Sequence, residues 1–293
     1  MWARRAATPY QFDSMSYLLI ISLTLATCFS MQALALRAVG GRTTKSESNF
    51  FSSIGRIQAG AQGKAKVMLL GSSITGRLPD RAQGVAGFAN MGCDGGSAVD
   101  ALRAMDAGIL PTAPWLIIEA NTLQLALDEK PTEIGQAMKQ PWFKVGLKTP
   151  SLSAYARPAA FFYSKLLARR IGGFGTVSPE TDLGVESRPR EVLDSPALTI
   201  TPRQDALIQE ITAIIDRLRM KGCQAVIVWL PPARSDGSAA PPWILELARR
   251  SQIPYWDLGQ EAAPGTVALT DGVHMAAPSA ARTVASLMKG IAK

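Results

Sequence analysis

The segment Val67-Met-Leu-Leu-Gly71-Ser72-Ser73-Ile74-Thr75 is the part of this chain from which its fold is read. Four apolar residues closed by a glycine and hydroxyls predict a short strand buried on both faces, as in a parallel sheet. Gly71 permits a sharp turn, which leaves Ser72 and Ser73 at the carboxyl end of the strand, where a helix would begin. A serine in that place is either an N-cap or a nucleophile.

The same pattern recurs outward from this segment. Apolar runs at Val67–Leu70, Trp115–Glu119, Ala225–Leu230 and Pro254–Leu258, with a weaker one near Val85–Ala89, predict parallel strands. Helical patterns lie between them. In 202–221, Leu207, Ile208, Ile211, Ile214, Ile215 and Leu218 share one face. Thr201 is the expected N-cap there, Pro202 the first helical residue and Gln204 the partner in a capping box, with Gly222 as the stop. A last helix is expected over Pro278–Ile291. This alternation predicts an α/β domain, a doubly wound, flavodoxin-like and mostly parallel sheet with helices on both faces. Its site would lie at the carboxyl ends of the strands. Residues 128–200 break the rhythm. They are expected to form an insertion of one or two helices with Trp142, Phe143, Tyr155, Phe161, Phe162 and Tyr163, then a loop from Gly172 to Pro196. Core packing of these aromatics, or a lid or partner surface, would account for the insertion.

Before the domain, no charged side chain occurs from Tyr17 to Leu36. At 1.5 Å per residue this run covers a hydrocarbon core of about 30 Å. It predicts a transmembrane anchor over 17–36, after a short tail at 1–16. The alternative is a cleaved signal peptide, with Arg4 and Arg5 before the apolar run and Ala33-Leu-Ala35 as cleavage site. Residues 37–60, rich in Gly, Ser, Thr and Arg, are expected to be a stalk, and 61–293 the folded domain. The basic tail ahead of the apolar run favours a cytoplasmic N-terminus and an extracytoplasmic domain.

Composition narrows the chemistry. With 47% hydrophobic residues among 293, the chain can bury a full core and is not disordered. Three cysteines make neither a disulfide framework nor a four-thiolate zinc site, and a single histidine excludes the two-histidine helix of zinc proteases. The net charge of +8 divides evenly between residues 1–45 and the rest. With no long basic run or aromatic–basic interleaving, nucleic acid is not the expected partner.

A serine nucleophile requires a base, and a histidine base an orienting acid. His274 lies in Thr270-Asp271-Gly272-Val273-His274, just before the last helix, with Asp271 three residues earlier. An acyl transfer also requires donors for the oxyanion. Asn90-Met-Gly92-Cys-Asp-Gly95 follows the second strand, and Asn121 ends the strand Trp115–Glu119.

Taken in order, these pieces resemble the SGNH (GDSL-like) hydrolase family. Gly71-Ser72-Ser73 looks like its Gly-Asp-Ser block, Asn90 to Gly95 like its Asn/Gly block, Glu119-Ala-Asn121-Thr122 like Gly-X-Asn-Asp, and Asp271 with His274 like Asp-X-X-His. Two departures are Ser72 and Thr122, where the family usually has Asp. The resemblance implies Ser73 as nucleophile, His274 as base and Asp271 as orienting acid. It implies the N–H groups of Ser73 and Gly95 and the side chain of Asn121 as oxyanion hole, with no cofactor and no metal. It further implies an esterase or O-acyltransferase acting on acylated cell-surface polysaccharide, with a membrane acyltransferase as a possible supplier of the acyl group. Trp229, Trp243 and Trp256 could stack on sugar rings or belong to the core. A lysophospholipase or thioesterase, and a non-catalytic polysaccharide-binding protein on the same fold, are the alternatives.

Overall fold

The computed structural model describes residues 14–40, 47–81, 84–127, 132–157, 169, 183, 188–192, 200–232, 240–262 and 266–291. Its centre is a five-stranded sheet built from β1 (Val67–Leu70), β2 (Phe88–Asn90), β3 (Trp115–Glu119), β4 (Gln224–Trp229) and β5 (Tyr255–Asp257). The strands run parallel in the order β2-β1-β3-β4-β5. The doubly wound, flavodoxin-like expectation holds. The chain reverses its direction of winding between β1 and β3, and sheets of this kind open a crevice at that switch point.

Both faces of the sheet are covered. Met68, Leu70, Leu116, Ile118, Ile227 and Trp229 join one apolar cluster. Their neighbours Val67, Leu69, Ile117, Val226, Val228 and Leu230 join another. The period-two alternation of a strand thus survives although every position is apolar, because each face meets helices. On the first face pack α2 (Glu47–Ala61), α4 (Ala98–Asp106), α7 (Pro202–Met220) and α8 (Pro242–Ser251). On the second lie the one-turn α9 (Leu258–Glu261) and α10 (Ala277–Ile291). The helix read between Thr201 and Gly222 has the expected caps, since Thr201 Oγ accepts from Gln204 N and Gln204 returns a bond to Thr201 N.

The expected stalk is corrected over its second half. Glu47–Ala61 is the helix α2, and its Phe51, Ile54 and Ile57 are fully buried. Phe51 lies 6.0 Å from the Trp142 ring, and the Arg157 guanidinium sits 4.2 Å over the Phe51 ring. Gln58, also fully buried, donates to Phe143 O and accepts from Ala154 N. Where a linker was expected, the chain contributes a wall of the core.

The described part of the insertion forms α5 (Glu133–Met138), α6 (Pro141–Lys148) and tight turns at Pro150–Leu152 and Ala154–Ala156. It packs on α2 and α4, with Trp142 and Phe143 buried. Phe161, Phe162, Tyr163 and most of the Gly172–Pro196 loop lie outside the described residues. Ahead of the domain, α1 (Ser14–Gly40) carries a 20-residue apolar stretch, Met15–Leu34, long enough to cross a membrane and exposed from Met15 to Met31.

Candidate functional site

The site lies where the carboxyl ends of β1, β2 and β3 meet the turn before α10. Directly after β1 comes the one-turn helix α3 (Ser73–Gly76), capped by the Ser72 hydroxyl, which accepts from Ile74 N. Ser73 is its first residue and is half-buried. Across from it, the turn 270–274 presents the histidine. His274 Nε2 lies 2.9 Å from Ser73 Oγ, and His274 Nδ1 lies 2.9 Å from both carboxylate oxygens of Asp271.

This geometry suits the tautomer that keeps its proton on Nδ1. With Nδ1–H directed at a carboxylate, Nε2 is left as the acceptor for the Ser73 hydroxyl. Asp271 is itself held by the turn, accepting from His274 N at 2.9 Å and Val273 N at 3.3 Å. The His274 backbone N–H, then its ring and the Val273 N–H, hold the Asp271 carboxyl well below the usual carboxylate range, against a smaller opposing effect of burial. Arg77 Nη1 adds positive charge 3.4 Å from Asp271 Oδ2.

The expected oxyanion donors are on the same edge. Neither Ser73 N–H nor Gly95 N–H donates to a backbone acceptor among the described residues. Gly95 has φ +73°, with open space where a side chain would be. Asn121, just past β3, is clamped to the end of β4: its Nδ2 donates to Leu230 O and its Oδ1 accepts from Leu230 N, both at 2.8 Å. The clamp uses one amide hydrogen and leaves the second available. Asn90 braces the turns from inside. Its Nδ2 donates to Thr75 O and Leu78 O at 2.7 Å, and its Oδ1 accepts from Gly92 N at 2.9 Å.

One residue of the site was not singled out from sequence. Glu119, the last residue of β3, is fully buried. It accepts from Ser72 N at 2.7 Å, the Ser72 hydroxyl at 2.9 Å, Thr75 Oγ1 at 2.5 Å and Thr122 Oγ1 at 3.1 Å. A carboxylate taken out of water requires such a set of donors. The signal was there to read, since an acidic residue closed an otherwise apolar strand two positions before Asn121. Gly71 follows from it: a Cβ there would fall 2.2 Å from Glu119 Oε2 and 2.3 Å from Thr75 Oγ1.

Other groups stand apart. Cys93 and Cys223 are both buried and free, and burial pushes the Cys93 thiol up, out of reach of ionisation. Trp229, Trp243 and Trp256 are buried and belong to the core. A cavity of about 540 Å³ between α4, α5 and α7, lined in part by Arg103, Met138, Lys139 and Leu207, includes none of the residues around Ser73. Among the described residues no group of three His, Cys, Asp or Glu side chains is placed to hold a metal ion.

The arrangement is thus a hydroxyl, an imidazole and a carboxylate in one hydrogen-bonded line beside backbone and amide donors, on a fold of hydrolase type. No family model, no curated protein and no solved structure matches the chain.

Proposed function

We propose that the chain is a membrane-anchored serine esterase or O-acyltransferase of the SGNH type. The observation that carries this reading is the contact of His274 with both Ser73 and Asp271, residues separated by 201 and 3 positions from it in sequence.

In this mechanism the Ser73 oxygen attacks the ester carbonyl while its proton passes to His274 Nε2, which Asp271 steadies through Nδ1. The tetrahedral oxyanion is held by Ser73 N–H, Gly95 N–H and the second amide hydrogen of Asn121. His274 returns the proton to the departing alcohol oxygen, leaving an acyl-serine. Water or a sugar hydroxyl then attacks that carbonyl, giving its proton to His274, and Ser73 recovers it as the acyl group leaves. The substrate proposed is an O-acetylated saccharide at the cell surface, with the acyl group supplied by a membrane acyltransferase where transfer is the outcome. The domain is proposed to lie outside the cytoplasm.

The test uses the full chain in detergent: labelling by a fluorophosphonate and release of nitrophenol from its acetate, for the native protein, Ser73→Ala and His274→Ala. Either substitution should remove roughly a thousandfold or more of the activity, and the pair together little beyond that, because the residues act as one unit. Oligosaccharide acceptors then separate transfer from hydrolysis. A folded native chain that neither labels nor turns over esters, in detergent or in membranes, refutes the enzyme reading.

A further inference from the structure

The anchor does not leave the domain free. From Met15 to Met31 the side chains of α1 are exposed, but Gln32 and Ala33, near the end of the span, are half-buried. The Gln32 side-chain amide donates to Ser151 O, and α1 touches α6. The turn Pro150–Leu152 is therefore level with the last turn of the membrane-crossing stretch, at the depth of the lipid headgroups.

What α6 and this turn present there is chemically matched to that depth. Trp142, Phe143 and Gly146 face inward, which leaves Lys144, Val145 and Lys148 on the outer side. Val145 is 46% exposed and Leu152 42% exposed, the latter beside the contact with the anchor. No Asp or Glu occurs between Glu133 and Glu180, and Arg37, Arg42 and Lys45 follow the span. Apolar side chains flanked by lysines, in a stretch of sequence without acids, form a surface that seats in the interface of an anionic bilayer.

We infer that the outer face of α6 and the turn Pro150–Leu152 is a second membrane contact, with Val145 and Leu152 entering the interface and Lys144 and Lys148 on anionic headgroups. The proposal is independent of the chemistry at Ser73 and rests on α1 crossing the bilayer. It places α2 between lipid and site. Gln58 of α2 holds Phe143 and Ala154 behind the membrane face, while Arg56 Nη1 donates to Gly92 O and Ser53 Oγ accepts from Asp94 N in the loop that leads to Gly95.

The experiment uses the full chain in phosphatidylcholine/phosphatidylglycerol vesicles. An environment-sensitive dye is attached to the exposed Cys28 in the span or, with Cys28→Ser, to Val145→Cys, Leu152→Cys or Met220→Cys. Met220, 81% exposed at the end of α7, is the solvent control. Nitroxide lipids should quench the dye at 28, 145 and 152 and leave 220 unaffected. Lys144→Glu with Lys148→Glu should reduce quenching at 152 at least twofold while 28 stays quenched. Dyes at 145 and 152 that behave like 220, with 28 quenched, overturn the proposal. So does shielding of 145 and 152 from aqueous iodide without lipid quenching, which would show that protein covers the face. An unquenched dye at 28 overturns both the span and the contact built on it.

Discussion

Glu119 accepts the backbone N–H of Ser72 at 2.7 Å, so the carboxylate that closes β3 holds the residue before the proposed nucleophile. The same carboxylate takes the hydroxyls of Thr75, on the far side of Ser73, and Thr122, beyond Asn121. It ties the turn of Ser73 to the loop that carries Asn121, the proposed oxyanion donor.

Replacing Glu119 by Gln keeps its shape but substitutes an amide donor for an acceptor, where four hydrogen bonds converge. Misplacing a reacting group by about 1 Å can lower the rate on the order of a hundredfold. Glu119→Gln should lose activity on that scale without losing the fold, read as kcat on a nitrophenyl ester beside an unchanged circular dichroism spectrum. Glu119→Ala should also destabilise by about 1–3 kcal/mol, because buried donors lose their acceptor.

Two glycines of the site should respond oppositely to the same substitution. At Gly71 an added methyl meets the Glu119 carboxylate, so Gly71→Ala should abolish activity and lower the melting temperature. At Gly95 it meets open space, and the strain of φ +73° is roughly 1–2 kcal/mol. Gly95→Ala retains its N–H and should keep activity within about tenfold of the native chain. Equal losses in both variants would refute this account of the turn.

Asp271 gives a pH dependence of known sign. Its carboxyl titrates lower in the folded chain than in the unfolded one, chiefly through the His274 N–H. Its stabilising contribution is therefore complete above the ordinary value of about 3.9 and is lost as pH falls through the lower folded value. Asp271→Asn should melt below the native chain at neutral pH, and the gap should narrow under acid conditions below about pH 4. Activity should fall about ten-thousandfold at neutral pH, since Asn favours the wrong imidazole tautomer. A gap that widens in acid would contradict this assignment.

Phe51 tests whether 47–61 belongs to the core. Phe51→Ala should destabilise by about 3–5 kcal/mol, as for a fully buried aromatic. A substitution in a solvated stalk would change the midpoint of chemical denaturation hardly at all.

The sheet was legible because its strands are short apolar runs closed by turn residues: β1 and β3 begin and end where the pattern changes, at Val67–Leu70 and Trp115–Glu119. The α7 boundaries were legible from Thr201, Pro202 and Gln204, whose cap chemistry is local. The helix α2 was not. Phe51, Ile54 and Ile57 mark an inner face, but Ser52, Ser53, Gly55, Arg56 and Gln58 gave the stretch a linker's composition, and the roles of Ser53, Arg56 and Gln58 are tertiary. Ser72 and Thr122, which depart from the resembled family, gain a reason from the fold. An Asp at either place would face Glu119, whereas a hydroxyl donates to it.

Because the packed domain already begins at Glu47, little chain separates it from α1. From Gly40 to Glu47 the backbone reaches at most about 25 Å when fully extended, at roughly 3.5 Å per residue. A linker running on to residue 60 would have reached almost three times as far. The domain is therefore held in a thin layer at the bilayer surface, beside its own anchor. An ester in that layer is within reach of the domain, and one held farther from the bilayer than the connection extends is not. A long polymer of the kind proposed as substrate would have to be drawn through that layer, so the spacing of modified units along it would be set by how the polymer is fed rather than by how the domain moves.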